Sequence, residues 1–318
     1  MRERNLKKPE PLFLSILASF GLLAAACGDG ETDASPPEEG EPIQVTTTIA
    51  QIDDIVENVG GEHVDSTPLM GPGTDPHVYQ ASHGDVELLE DADMIFWNGL
   101  NLEEQMTDMM DHLGEEKPVY ALGEQVPDEY ILEDEEEAGM PDPHIWFDIE
   151  LWSYAVEGVK DGLIELDPDN EEEYQANAEE YLDELQELQT WSEEQIQEID
   201  EESRVLVTAH DAFQYFGDAA GMDVIGLQGI STDAEYGLSD VQNVIDEMED
   251  RDVGAIFGET SVSDSAIEAV IEGAGQRGHE VENGGTLYSD AMGEPGTEEG
   301  TYVGMYQANI NQIVDALK

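Results

Sequence analysis

The sequence predicts an α/β protein of two lobes, each a mostly parallel sheet flanked by helices, joined by one long helix. Three observations predict it. Short β-branched or apolar runs alternate with helical patterns in both halves of the chain, as in parallel sheets covered on both faces. Between the halves, the stretch from Asp169 to about Glu202 contains neither Gly nor Pro. The halves also echo each other. Thr74-Asp75 precedes a capped helix that leads to Met94-Ile-Phe-Trp-Asn-Gly99, and Thr232-Asp233 precedes one that leads to Ala255-Ile-Phe-Gly-Glu259. At 318 residues and 39% apolar, the chain has room for roughly two domains with real cores.

Taken in order, the first strand is Ile43-Gln-Val-Thr-Thr-Thr-Ile49, rich in β-branched residues. A helix follows over Ile52–Gly60, then a short strand over His63–Leu69, then a loop set by the turn residues Gly71-Pro-Gly-Thr-Asp-Pro76. Ser82, with Asp85 three positions on, is a capping-box variant that starts a helix running to Asp91. Asp93–Trp97 reads as a buried strand, Leu102–Leu113 as a helix and Val119–Leu122 as a strand. In the stretch from Asp169 to Glu202, Tyr174, Ala178, Tyr181, Leu185, Leu188, Ile196 and Ile199 fall mostly three or four apart, which gives one amphipathic helix with an acidic face. At full length it would approach about 50 Å, a strut between lobes. Arg204–Thr208, Asp223–Leu227 and Val253–Phe257 are then strands; Ala212–Ala220, Ser239–Glu249, Ser263–Gly273 and Gly304–Leu317 are helices.

The N-terminus sets the address. Arg2, Arg4, Lys7 and Lys8 precede the apolar run Pro11–Ala26, which has the layout of a signal peptide and is short for a stable membrane span. It ends on Cys27, the only cysteine in the chain. Small residues before a single cysteine resemble a lipobox, where bacterial lipoproteins are cleaved and lipidated. Ala24 departs from the usual Leu of that motif, with Leu23 beside it. A plain signal peptide with an incidental cysteine is the alternative. The Gly/Pro/acidic stretch that follows reads as a tether. The resulting division is a signal peptide over 1–26, a lipid-anchored acidic linker over 27–42, an N-terminal lobe over 43–168, a connecting helix over 169–202 and a C-terminal lobe over 203–318.

Acidic residues number 77 against 10 basic ones, a formal charge of −67. Nucleic acid is excluded as a partner, because phosphate contacts need Lys and Arg. The acidity either draws cations or adapts the chain to high salt, where screening suppresses self-repulsion. Its spread along the whole chain favours high salt, and the expectation is loss of structure in low-salt buffer.

Of seven histidines, His77, His144 and His210 sit among turn residues or just past the carboxyl end of a strand, where ligands gather in open α/β sheets. Asp290 opens a Gly-rich loop. Three imidazoles and a carboxylate suit Zn²⁺, Mn²⁺ or Fe²⁺. His63, His83, His112 and His279 read as solvated or cap residues. The segments Gly71–Tyr79, Asn98–Glu103, Asp142–Trp146, Val207–Phe213 and Gly284–Gly293 occur in order and together resemble the TroA-like (cluster A-I) family of metal-binding substrate-binding proteins of zinc/manganese ABC transporters. The resemblance covers the chain from about residue 43 to its end. It implies two lobes joined by a rigid helix, a metal in the cleft between them, and His77, His144, His210 and Asp290 as its ligands. Ile149 departs from the family, which commonly has Pro there. The His-rich loop of many zinc-specific members is absent. In its approximate place stands Glu133-Asp-Glu-Glu-Glu137, either acidic decoration or a weak collector of cations. Glu259, at the cleft end of a strand, is a candidate to orient an imidazole.

These features predict an extracytoplasmic lipoprotein receptor, anchored at the outer face of the cell membrane. It would bind Zn²⁺ foremost and Mn²⁺ next, and deliver the ion as a monomer to the membrane permease of an ABC importer. A secreted metallohydrolase using the same residues is the alternative. It would need an open metal position and a general base, and no zincin helix, nucleophile elbow or P-loop is present. An adhesin or an organic-solute receptor is a third class, with no residue pattern of its own here.

Overall fold

The computed structural model describes residues 41–134, 139–234 and 236–318. The signal peptide 1–26, Cys27, most of the linker 27–42 and residues 135–137 of the acidic run lie outside the described residues. Among those described, no helix is long and apolar enough to cross a membrane.

The first lobe comprises β1 (Ile43–Thr47), α1 (Ala50–Gly60), β2 (Val64–Pro68), α2 (His83–Asp91), β3 (Met94–Trp97), α3 (Thr107–Leu113) and β4 (Val119–Ala121). Then come α4 (Ile149–Leu166) and α5 (Glu171–Ile196). The second lobe holds β5 (Val205–His210), α6 (Gln214–Ala220), β6 (Asp223–Gln228), α7 (Leu238–Arg251), β7 (Ala255–Glu259), α8 (Ser265–Arg277) and β8 (Glu282–Leu287), and α9 (Tyr302–Leu317) closes the chain. The strands form two four-stranded sheets, β2-β1-β3-β4 and β6-β5-β7-β8, with parallel pairing throughout. The repeated order gives substance to the echo seen in the sequence. Each lobe starts in the middle of its sheet and reverses direction between its first and third strands. A crevice opens at the carboxyl ends of those two strands.

The two apolar cores are unequal. The larger joins the first sheet to α4, α5 and α9 and includes the fully buried Trp146, Trp152, Tyr174 and Tyr302. The smaller lies under α7 and α8, around Val207, Met248, Ile256, Ile267 and Val270. The last helix therefore reaches back to the first lobe. Tyr302 stacks on Trp152 at 5.8 Å, a contact worth about 0.5–1.5 kcal/mol beyond the area it buries. The Tyr302 hydroxyl donates to the Trp146 carbonyl at 2.6 Å, and that of Tyr306 to the Phe147 carbonyl at 3.1 Å.

Local chemistry explains the helix ends. At α2 the capping box forms in both directions: Asp85 N–H donates to Ser82 Oγ at 3.4 Å and Ser82 N–H to Asp85 Oδ2 at 2.6 Å. Lys117 closes the other end of α2, donating to the carbonyls of Leu89, Glu90 and Ala92. Asp148 caps α4, which makes Ile149 its first residue. That position tolerates Pro readily, so the departure from the family leaves the turn intact.

The structure corrects several expected elements. The long helix is α5, 26 residues and about 39 Å, rather than the whole of 169–202. Residues 168–170 form a 3₁₀ turn instead. Its last turn carries no basic residue, and the acids that follow oppose the negative end of the helix dipole. The chain then turns, and Arg204 Nε takes the Ile199 carbonyl at 3.2 Å. The α-helix expected over 102–113 begins only at Thr107, because Leu100 and Asn101 have positive φ and Glu103 folds back onto the Asn98 and Gly99 N–H groups. Two elements have no counterpart among the expectations. Helix α4 contains Gly158 and Gly162, and a Cβ at Gly162 would press on the Phe96 ring at 3.1 Å, so glycine lets the helix lie close on the sheet. Strand β8 includes Gly284-Gly285, where a Cβ at Gly284 would strike the Phe257 ring at 2.6 Å.

Candidate metal site

His77, His144, His210 and Asp290 come together although they are spread over more than two hundred positions of sequence. All four are buried, and one ligand atom from each lies within 4.8 Å of the others. The two lobes contribute equally. His77 lies on the loop after β2, and His144 opens a 3₁₀ turn ahead of α4. His210 is the last residue of β5, and Asp290 follows the end of β8.

The spacing suits an ion. His77 Nε2 stands 3.3 Å from His144 Nε2. Asp290 Oδ1 is 3.4 Å from His144 Nε2; its Oδ2 is 3.4 Å from His210 Nε2 and 3.9 Å from His77 Nε2. A tetrahedral centre with bonds of about 2.0–2.1 Å has edges of about 3.3–3.4 Å. His210 Nε2 and Asp290 Oδ1 are buried without a hydrogen-bond partner in the protein, a costly arrangement unless something else satisfies them. Both carboxylate oxygens of Asp290 face imidazoles, so the set offers four donors, or five with a bidentate carboxylate.

Carboxylates behind the imidazoles set their orientation. The sequence Asp-Pro-His occurs at 75–77 and again at 142–144. In both turns the aspartate Oδ1 accepts the histidine N–H at 3.0 Å. Asp142 Oδ1 also accepts from His144 Nδ1 at 2.7 Å. Glu259, the last residue of β7, contacts His210 Nδ1 through Oε2 and accepts the His210 N–H on Oε1 at 2.8 Å. A proton held at Nδ1 leaves Nε2 free to bind a metal. Asn98 steadies the second turn, donating to the Pro143 carbonyl at 3.1 Å. Gln51 and Trp146 of the first lobe both donate to the Ser289 carbonyl beside Asp290, at 3.3 and 3.2 Å.

These neighbours shift the titrations. Burial pushes His77 down to about 3, despite the opposing pull of Asp290. Burial also works against a charged His144, but Asp142 and Asp290 outweigh it and bring this imidazole up to about 9. His210 follows the same logic: burial opposes its charge, and Glu259 and Asp290 hold it well above the usual range. Burial opposes ionisation of Asp290, yet His210 and His144 keep its carboxyl well below the usual range. Without metal, burial therefore favours a neutral His77, while the neighbouring carboxylates favour protons on His144 and His210.

The remaining histidines lie elsewhere. His83 and His112 are exposed, beside Glu87 and Glu115. His279 pairs with the Val253 carbonyl at 2.7 Å. His63 is half-buried and lies 3.0 Å from Glu173, with Glu62 nearby. Sequence reasoning named Glu259 but gave no role to Asp142, Asp75 or Gln51. For the aspartates the signal was the repeated Asp-Pro-His, since Asp side chains commonly accept the N–H two residues on. Nothing local marks Gln51.

The model of the zinc-uptake complex component A family (ZnuA, periplasmic) matches residues 45–316. The chain belongs to this family. It is 48% identical over 303 residues to the manganese-binding lipoprotein MntA of Bacillus subtilis, covering 95% of this chain and 97% of that protein. It is 30% identical over 318 residues to the manganese ABC transporter substrate-binding lipoprotein PsaA of Streptococcus mitis, covering 98% and 99%. Among solved structures, the periplasmic zinc-binding protein TroA of Treponema pallidum superposes with a TM-score of 0.85 at 44% identity, over 87% of this chain and 99% of that one. The family thus brings together relatives named for zinc and relatives named for manganese. Its two-lobed fold with a long connecting helix is the one described above.

Proposed function

We propose that this protein is an extracytoplasmic lipoprotein receptor for a divalent transition-metal ion. It takes up Zn²⁺ foremost and Mn²⁺ next, with Fe²⁺ also chemically suited, at His77, His144, His210 and Asp290. It passes the ion to the membrane permease of an ABC importer. Cys27 carries the lipid anchor, residues 27–42 serve as the tether, and the chain works as a monomer. The observation that carries this reading is the convergence of four buried ligand atoms, drawn equally from two lobes, within 4.8 Å. The relatives' names support the same role and divide between the two metals.

The geometry favours binding and release over catalysis. Four protein donors fill a tetrahedral ion, whereas a catalytic metal normally keeps a position for water. An ion held by ligands from both lobes leaves when the lobes part, which suits delivery. Three imidazoles and the Irving–Williams order place Zn²⁺ above Mn²⁺ in direct competition. The second oxygen of Asp290 offers the extra oxygen donor that harder Mn²⁺ accepts. The acidic surface suits a high-salt medium, and circular dichroism that is unchanged from molar to millimolar salt would dispose of that part.

The test is metal content. Purified protein is stripped, dialysed in high salt against equal Zn²⁺ and Mn²⁺, and analysed for both elements, beside His210→Ala. The expected result is one equivalent of metal, mostly zinc, in the wild type and little in the variant. A wild type without stoichiometric metal overturns the proposal.

A further inference from the structure

Both Asp-Pro-His turns meet the second lobe, the later one through its backbone, where the Asp142 carbonyl accepts the Tyr215 hydroxyl at 2.9 Å, but only the earlier one crosses the cleft through its aspartate side chain. Asp75 Oδ1 accepts the His77 N–H at 3.0 Å, while its Oδ2 accepts the Thr232 hydroxyl at 2.6 Å from a position 157 residues away. Thr232 stands on the loop between β6 and α7 of the second lobe. A single carboxylate therefore joins the backbone of a site histidine in one lobe to a loop of the other. The same loop of the first lobe makes a second approach: a Cβ at Gly73 would lie 3.5 Å from the Thr260 carbonyl. Asp142, the corresponding residue of the second turn, uses the same oxygen for both the N–H and the ring of its own histidine.

We infer that Asp75 and Thr232 are positioning residues that latch the two lobes together over the bound ion and slow its release. The inference rests on the metal-receptor reading above. Neither residue is among the four ligands. Asp75 acts through the His77 turn, and Thr232 acts through Asp75. Parting of the lobes breaks the hydroxyl–carboxylate bond, and a hydrogen bond to a charged acceptor is about twice as strong as a neutral one. Loss of the hydroxyl therefore lowers the barrier to opening while all four ligands remain.

Release is read by mixing zinc-loaded protein with excess chelator in a stopped-flow instrument. Thr232→Val removes the hydroxyl and keeps the branched shape. Its release is expected to be about tenfold faster, the equivalent of one charge-assisted hydrogen bond. Thr232→Ser keeps the hydroxyl and should release within about twofold of wild type, by the same reasoning. In an Asp75→Ala background, Thr232→Val should add nothing, because its partner is already gone. A Thr232→Val protein that releases zinc at the wild-type rate overturns the latch and leaves the receptor reading standing. Equal acceleration by Ser and Val also overturns it, since the effect would then lie in packing. A wild type that takes up no metal removes the receptor reading, and the latch with it.

Discussion

The two Asp-Pro-His turns begin identically and end differently. Each aspartate accepts the N–H of the histidine two residues on, at 3.0 Å. The Asp142 carboxylate then holds the ring of His144, and the backbone of this turn is tied down by Asn98 and by the Tyr215 hydroxyl on the Asp142 carbonyl. Asp75 instead spends its second oxygen on Thr232 across the cleft. One carboxylate tunes an imidazole, and the other couples an imidazole to the opposite lobe. The same aspartate side chain thus serves basicity in one place and linkage between lobes in the other. The titrations follow: His144 rises to about 9 beside its carboxylate, while burial takes His77 down to about 3.

The largest expected effect lies where both turns converge. Asp290 is the only anionic member of the four and faces all three imidazoles. Structural zinc sites bind with about 10–16 kcal/mol, so the share of one ligand in four is about 3 kcal/mol. Asp290→Ala should weaken zinc binding about a hundredfold or more, measured by competition with a chelating dye. An affinity within threefold of wild type would remove Asp290 from the site.

Next come the carboxylates that act on rings. Asp142→Asn and Glu259→Gln should each cost about ten- to a hundredfold in affinity, because both orient a ring and raise its basicity. In wild type, proton NMR of the metal-free protein should show His144 titrating near 9; in Asp142→Asn that titration should move down. An unchanged His144 titration would show that the carboxylate does not tune the ring and would erase the contrast between the turns.

The pH acts on the same cluster. His144 and His210 are both raised, so the metal-free cluster favours protons that a bound ion must displace. Apparent affinity should therefore rise with pH, by about tenfold per unit for each proton displaced, and less steeply once His144 titrates near 9. Stability of the metal-free protein should run the other way. A histidine whose folded pKa is raised stabilises fully below its unfolded value and loses that contribution as pH rises through about 9. Thermal unfolding with and without zinc, from pH 6 to 10, tests both signs. A metal-free melting temperature that rises over that range would contradict the assignment of protons to the cluster.

Much of this arrangement was legible in the sequence, for identifiable reasons. The strand-end positions of His210 and Glu259 follow from β-branched runs that stop at polar residues. The α5 helix follows from its apolar spacing, although its end was misjudged, because the acids after Ile196 fit the helical pattern while opposing the helix dipole. Helix α4 and strand β8 were not legible. Gly162 and Gly284 read locally as breakers, and only the Phe96 and Phe257 rings they accommodate explain them. The second partner of Asp75 was equally hidden, since Thr232 is 157 residues away. The repeated tripeptide shows where the turns are; the fold decides what they do.

The central claim is that one ion is bound by four residues from two lobes. Anomalous diffraction at the metal edge, on crystals of the zinc-loaded protein, tests it most directly. A single strong peak is expected about 2.0–2.2 Å from His77 Nε2, His144 Nε2, His210 Nε2 and an oxygen of Asp290. A principal peak elsewhere, for example at Glu62, His63 and Glu173, with none among these four, would contradict it.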